Sequence, residues 1–249
     1  MRNNKPAKYH DLIERVKSSY PPFDITDDRK DLRLYWCDDC KEINLWTYWQ
    51  GRGNLDAKIM LVGQDWGCPW DTDYLPTIEQ VRKANQYCEY DYLNNNPSPT
   101  DANLARLFNE LGYDIARFCP ELFFTNFILG YRNKGLSGGY KKAWAEHDKG
   151  YFKELADIIE PKVILCLGRS TFEGVLSAFG AELPLRIKDY NDFIESTHNP
   201  VAVPLASGET TYVVALAHCG VMGTLNRNRK KNTDLTNQIE DWTRIIPNI

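Results

Sequence analysis

AKIMLVG at 57–63, LFFTNFIL at 122–129, KVILCLG at 162–168 and TYVVALA at 211–217 are the four stretches that decide the fold. Each is strand-sized, rich in Val, Ile, Leu and Phe, and shows little alternation of apolar with polar positions. A strand with one wet face alternates, whereas a run that does not alternate is covered on both faces, as in a parallel sheet. Between the runs lie helical spacings. Asp101 can cap a helix carrying Leu104, Leu107, Phe108 and Leu111, closed by Gly112. A second helix reads over 151–159, stopped by Pro161; a third over 170–179, ended by Gly180; a last over 235–246. Parallel strands need crossover helices. The pattern therefore predicts an α/β fold, a three-layer α/β/α sandwich around a central four-stranded parallel sheet.

No internal repeat or low-complexity linker divides the 249 residues, so a single domain over 1–249 is expected. Residues 1–55 read as an N-terminal extension packed on the same core, with a helix at 9–19 and an aromatic segment at 34–49. The loop at 71–99 is long and polar, and loops of that length often carry function. Hydrophobic residues make up 43% of the chain and aromatics 12%, ample for a packed core. The net charge of −4 excludes a generic polyanion binder, so phosphate contacts would have to come from local clusters. Seven cysteines, of which only Cys37 and Cys40 are regularly spaced, argue against a disulfide framework and for a reducing compartment. The start, MRNNKPAKYHDLIERV, lacks the apolar stretch of a signal peptide, and no run is long enough to span a membrane. A soluble, cytoplasmic monomer is expected.

In open parallel sheets, ligands bind beyond the carboxyl ends of the strands. Here strand one runs into Gly63-Gln64-Asp65-Trp66-Gly67, strand two contains Thr125-Asn126, strand three ends at Gly168-Arg169-Ser170 and strand four at His218-Cys219-Gly220. A carboxylate, an amide, a hydroxyl and an imidazole would meet on one rim. Taken singly, Asp65 and Ser170 are as well explained as helix caps, and Asn126 as satisfying a loop. Four polar strand ends at once are harder to explain as capping.

At these residues the chain resembles the uracil-DNA glycosylase superfamily. That family has a G-Q-D-P-Y-H motif after strand one, an Asn ending strand two, an L-G turn after strand three and a His-Pro-Ser segment after strand four. The counterparts here are 63–67, Asn126, Leu167-Gly168 and 218–223, in the same order over roughly 57–229. The resemblance implies a hydrolase that flips a base out of DNA and cuts its N-glycosidic bond. Asp65 would stabilise the sugar oxocarbenium ion and orient water, and His218 would stabilise the departing base anion. Asn126 would read the base edge, with Gly63, Gln64, Trp66 and Gly67 lining the base pocket; Trp66 and Trp70 are candidates for the stacking ring. DNA would be held by Ser170 and by the basic run 226–231 (NRNRKK), through Arg227, Arg229 and Lys230. Val221, Met222 or Leu225 would be the wedge filling the hole left by the flipped base. A second basic run, YRNKGLSGGYKK at 131–142, is a further candidate contact, although a charge run is more often a solvated face.

The chain also departs from the family. Gly67 stands where the motif has a tyrosine that blocks substituents at pyrimidine C5, and Cys219-Gly220 replaces Pro-Ser. Some family members carry a four-cysteine iron–sulfur cluster. Cys37-Asp38-Asp39-Cys40 resembles its first pair, but Gly130 and the 146–148 segment stand where the other two cysteines would be, so neither metal nor cofactor is expected. Two substrates stay open, uracil and a C5-modified pyrimidine such as a hypermodified phage cytosine, the first suiting base-excision repair and the second antiphage defence. The non-enzymatic alternative is a glycosylase-like protein that binds DNA without chemistry. A nucleotide-binding hydrolase is disfavoured because no phosphate-binding glycine motif occurs.

Overall fold

A computed structural model describes residues 4–20, 34–35, 54–65, 97–132, 141–182 and 188–245. In chain order the elements are α1 (Lys5–Ser19), β1 (Leu34–Tyr35), β2 (Ile59–Gly63), α2 (Pro99–Glu110), β3 (Leu122–Asn126), β4 (Tyr131–Arg132), α3 (Lys142–Ile159), β5 (Val163–Leu167), α4 (Arg169–Ala178), α5 (Tyr190–Glu195), β6 (Val201–Pro204), β7 (Thr210–Leu216), α6 (Val221–Arg227) and α7 (Thr236–Ile245). The main sheet has the order β3-β2-β5-β7-β6, and β1 pairs separately with β4.

The four apolar runs are the four parallel strands β3, β2, β5 and β7. Every residue of β3 and of β5 is buried. Alternate residues enter two separate cores. Met60, Val62, Phe123, Ile164, Cys166, Val213 and Ala215 face a layer that includes α1, α3 and α4. Ile59, Leu61, Leu122, Phe124, Val163, Leu165 and Leu216 face the layer of α2 and α7, where Phe108 and Trp242 meet edge to face at 5.1 Å. The result is an α/β/α sandwich. Fully burying one such aromatic is worth about 1.5–3 kcal/mol, so both layers bind the sheet strongly.

The sheet has five strands rather than four, because β6 joins the edge antiparallel to β7. Its four residues, VAVP, are partly exposed and end in proline, which suits an edge and leaves no buried apolar run to read. Other boundaries also move. The N-cap of α2 is Ser98, whose hydroxyl accepts from the Asp101 amide, while Asp101 sits in the first turn. The helix expected at 151–159 begins nine residues earlier, burying Trp144, Ala145 and Asp148. α1 packs Tyr9, Leu12, Ile13 and Val16, one helical face, into the first core, and Lys5 Nζ donates to the carbonyls of Leu55 at 3.2 Å and Ile159 at 3.1 Å.

In chain order the parallel strands run outward both ways from β2, with β3 on one side and β5, then β7, on the other. The connections reverse direction between β2 and β5, which makes the carboxyl ends there the switch point of the sheet.

Candidate functional site

All four parallel strands end on one side of the sheet, with Gly63 in register with Asn126 and Leu167 with Leu216. The ladder continues past the strand ends. Phe127 N–H donates to the Gly63 carbonyl at 2.9 Å, Ile128 N–H to Gln64 at 3.0 Å and Gly168 N–H to Leu216 at 2.8 Å. Asp65, Asn126, Ser170 and His218 therefore sit on one rim held by backbone hydrogen bonds.

Asp65, partly buried, follows β2 by two residues, and its carboxylate accepts from Gln64 Nε2 at 3.0 Å. Asn126 ends β3 with 8% exposure, and its side-chain amide makes no hydrogen bond among the described residues. A methyl group on Gly63 would lie 2.2 Å from Asn126 Oδ1, so the bare glycine lets the amide lie across the end of β2. The alternative that Asn126 merely satisfies a loop is not what the geometry gives. Nor does Ser170 cap a helix: the N-cap of α4 is Gly168, and Ser170 is partly buried in the first turn.

His218 follows β7 by two residues. Its surface is exposed to solvent, yet it is ringed by protein, and that burial lowers its pKa while the Asp65 charge raises it. The carboxylate and the imidazole therefore lie within electrostatic reach of each other. Gly220 N–H donates to His218 Nδ1 at 2.9 Å. A ring nitrogen that accepts carries no proton, so the neutral ring carries its proton on Nε2. The structure thus presents a neutral N–H donor at Nε2. A methyl on Gly223 would come within 2.0 Å of the His218 carbonyl oxygen, so α6 packs against this backbone only because residue 223 is glycine. The neighbouring Cys219 thiol is buried and pushed up in pKa by that burial, which keeps it protonated and inert.

The wedge candidates separate. Met222 is 67% exposed and Val221 45%, both in the first turn of α6, while Leu225 is partly buried. Two apolar side chains are therefore exposed side by side within four residues of His218.

The basic run after His218 is corrected. Arg227 is 7% exposed and grips Asp241 through Nε at 2.6 Å and Nη2 at 3.0 Å, with Glu195 2.8 Å from Nη1. It fastens α6 to α7 and α5 and is not available to a phosphate. Arg229 is exposed but paired with Asp192 at 2.9 Å and Asp189 at 3.6 Å, so its charge is already balanced. Lys230 and Lys231 are exposed and form no ion pair among the described residues. A concavity of about 750 Å³ lined by Arg227, Asn228, Asn237, Glu240 and Arg244 lies on this helical face and includes none of the rim residues. Its Arg227 and Arg244 are taken up by Glu195 and Asp241, its Arg229 by Asp189 and Asp192, and Lys231 and Glu240 are its remaining charges, so the rim carries the stronger claim to chemistry.

Trp66, Gly67, Trp70, the rest of the loop to residue 96, Cys37, Cys40 and residues 133–140 of the second basic run lie outside the described residues. Among the described residues no three His, Cys, Asp or Glu side chains cluster as metal ligands, and no helix is long and apolar enough to cross a membrane. The sequence reading missed Asn103 and Gln238, two helix residues that bond the backbone around His218. No protein-family model matches the chain, and no curated protein matches it in sequence.

Proposed function

We propose that this protein is a DNA glycosylase that hydrolyses the N-glycosidic bond of a pyrimidine flipped out of DNA and leaves an abasic site. The observation that carries the reading is a carboxylate, Asp65, and an imidazole whose Nδ1 accepts from Gly220 and so leaves the proton on Nε2, His218, within electrostatic reach of each other on the carboxyl-end rim of the sheet. Breaking the bond between sugar and base sends the electron pair to the base and leaves positive charge on the sugar. The Asp65 carboxylate stabilises that cation and orients a water, which adds its oxygen at C1′ and gives its proton to the carboxylate, while the departing base anion takes a proton from solvent. His218 Nε2–H donates to the base oxygen where negative charge collects, and a neutral donor does so without surrendering its proton. The Asn126 amide, which makes no side-chain hydrogen bond among the described residues, supplies a donor and an acceptor for the Watson–Crick edge. Met222 and Val221 fill the gap in the stack, and Lys230 and Lys231 meet phosphate. A cytoplasmic monomer acting on intracellular DNA fits this chemistry.

The test is Asp65→Asn. Base release falls about 10²–10³-fold, the scale of one lost charge-stabilising group, while DNA binding persists. A variant with wild-type release refutes the assignment. A pure DNA binder needs neither Asp65 nor a neutral His218, and it would release no base from any substrate.

Gly67 favours one substrate over the family default. It removes the ring that excludes C5 substituents in the motif the chain resembles, so the pocket accepts a C5-modified pyrimidine and the enzyme serves antiphage defence. Gly67→Tyr then suppresses release of bulky C5-substituted bases and spares uracil. Efficient release of uracil alone by the wild-type protein overturns this second reading and returns the enzyme to repair.

A further inference from the structure

The segment from Ala217 to Gly220 carries the imidazole but belongs to no strand or helix. It is tied to helices on the same side of the sheet. From α2, Asn103 Nδ2 donates to the Cys219 carbonyl at 2.7 Å. From α7, Gln238 Nε2 donates to the carbonyls of Ala217 at 3.4 Å and His218 at 3.3 Å. Both of those acceptors need a donor, so the Gln238 amide has one orientation, with Nε2 toward the strand end; its Oε1 meets no donor among the described residues. Gln238 is 1% exposed and Cys219 wholly buried, so water does not compete freely for these carbonyls. The two helices are packed to each other through Phe108 and Trp242, which makes their spacing rigid.

Three consecutive carbonyls, those of 217, 218 and 219, are thus taken by two side chains from different helices. Holding consecutive carbonyls fixes the peptide planes between them, and the plane that follows Cys219 carries the Gly220 N–H that bonds Nδ1. We propose that Asn103 and Gln238 are positioning residues that set the tautomer of His218 by aiming the Gly220 N–H at Nδ1. Neither reaches the rim itself, and both act through backbone. Outer partners that orient a functional imidazole typically change activity by about 10–100-fold. The inference rests on the glycosylase reading for what the oriented Nε2–H does, while the orientation itself is open to direct observation.

The full-length protein, labelled with ¹⁵N-histidine, reports the tautomer by long-range ¹H–¹⁵N correlation at pH 8, with His218 assigned by its loss in His218→Ala. The wild-type ring shows an unprotonated Nδ1 and a protonated Nε2. Gln238→Met and Asn103→Leu keep shape and remove the donor. Each moves the ring toward a mixture of tautomers, and each lowers the single-turnover rate of base release about 10-fold or more with KM little changed. Asn103 is only partly buried, so its variant keeps the fold if burial makes the Gln238 variant fail. The conservative variant Asn103→Gln, which keeps an amide donor, retains part of the tautomer preference. A folded donor-less variant whose His218 tautomer matches wild type overturns the inference whatever its activity. A tautomer shift in a protein that releases no base supports the positioning role and overturns the glycosylase reading instead.

Discussion

Arg227→Met separates a structural arginine from one that contacts DNA. In the folded protein the guanidinium has 7% exposure and the Asp241 carboxylate 3%, joined by two hydrogen bonds of 2.6 and 3.0 Å. Methionine keeps the stem volume and strands Asp241. Removing one partner of a buried pair costs about 3–5 kcal/mol, because the remaining charge cannot regain water. Two neighbours pull the expectation to the low end. Arg244, 47% exposed, stands 3.5 Å from Asp241 and supplies partial compensation. Glu195, half exposed, simply returns to solvent, and its contact is worth about 0–1 kcal/mol. About 3 kcal/mol remains, which at about 2–4 °C per kcal/mol for a chain of this size lowers Tm by about 6–12 °C. Arg227→Met combined with Asp241→Leu removes both charges and recovers most of that loss. Scanning calorimetry on the four proteins of the cycle measures the coupling. A single variant within about 2 °C of wild type, or a double variant no better than the single, refutes the buried-pair account. A phosphate contact would instead leave Tm unchanged and lower the salt slope of DNA binding by about one.

The two histidines with resolved shifts titrate with opposite signs. His218 is lowered by burial, so its folded form binds the proton more weakly; the protein loses stability as pH falls below the ordinary value of about 6.5, and base release rises with pH with its midpoint below that value. A rate that falls as pH rises from 6 to 8 refutes the neutral-donor role. His147 is raised, chiefly by its hydrogen bond to buried Asp148, so its contribution is full below about 6.5 and is lost as pH climbs through the raised value. His147→Gln therefore lowers Tm more at pH 5.5 than at pH 9, a pH-independent difference refuting it; the ring is 40% exposed, which keeps the effect small. Val221→Ala with Met222→Ala slows release about 10-fold from duplex and spares single-stranded DNA, since only a duplex has a stack to fill; equal losses on both refute the wedge. Lys230→Gln with Lys231→Gln lowers the salt slope of binding by up to about two, whereas Arg229→Gln, already balanced by Asp189 and Asp192, changes it less. An unchanged slope in the lysine variant makes the run a solvated face.

How legible each element is follows from how its neighbours constrain it. The four parallel strands announce themselves because helices cover both faces, leaving no polar position in runs such as VILCL. β6 does not, since an edge strand satisfies only one neighbour and its VAVP needs only Val203 fully buried. The start of α3 is hidden for a related reason. Its first turns carry Lys142, Glu146, His147 and Lys149 with buried Asp148, a polar string whose partners, Tyr20 and the Leu129 amide, come from distant parts of the chain.

The same contrast governs the site. Asp65, Asn126 and His218 are legible because topology alone puts strand ends together, and a polar residue after a wholly apolar run stands out one residue at a time. The run NRNRKK misleads because linear charge density does not show which side of a helix a residue takes. Arg227 lies three residues after buried Thr224, on the inward face of α6, and its counter-charges are 32 residues before it and 14 after. Asn103 and Gln238 are hidden more deeply: each is a polar residue beside the apolar stripe of an amphipathic helix, and nothing in its spacing says which backbone group it meets. What marks them is the carbonyl each faces, and that carbonyl is set by how α2 and α7 pack under the end of β7. The polar groups of such a rim are thus read from the strands, while the groups that hold them in register are read only from the packing of helices. Substitutions at the second kind, tested by tautomer rather than by stability, report whether the packing of helices orients the rim imidazole, and base release reports separately whether that orientation serves chemistry.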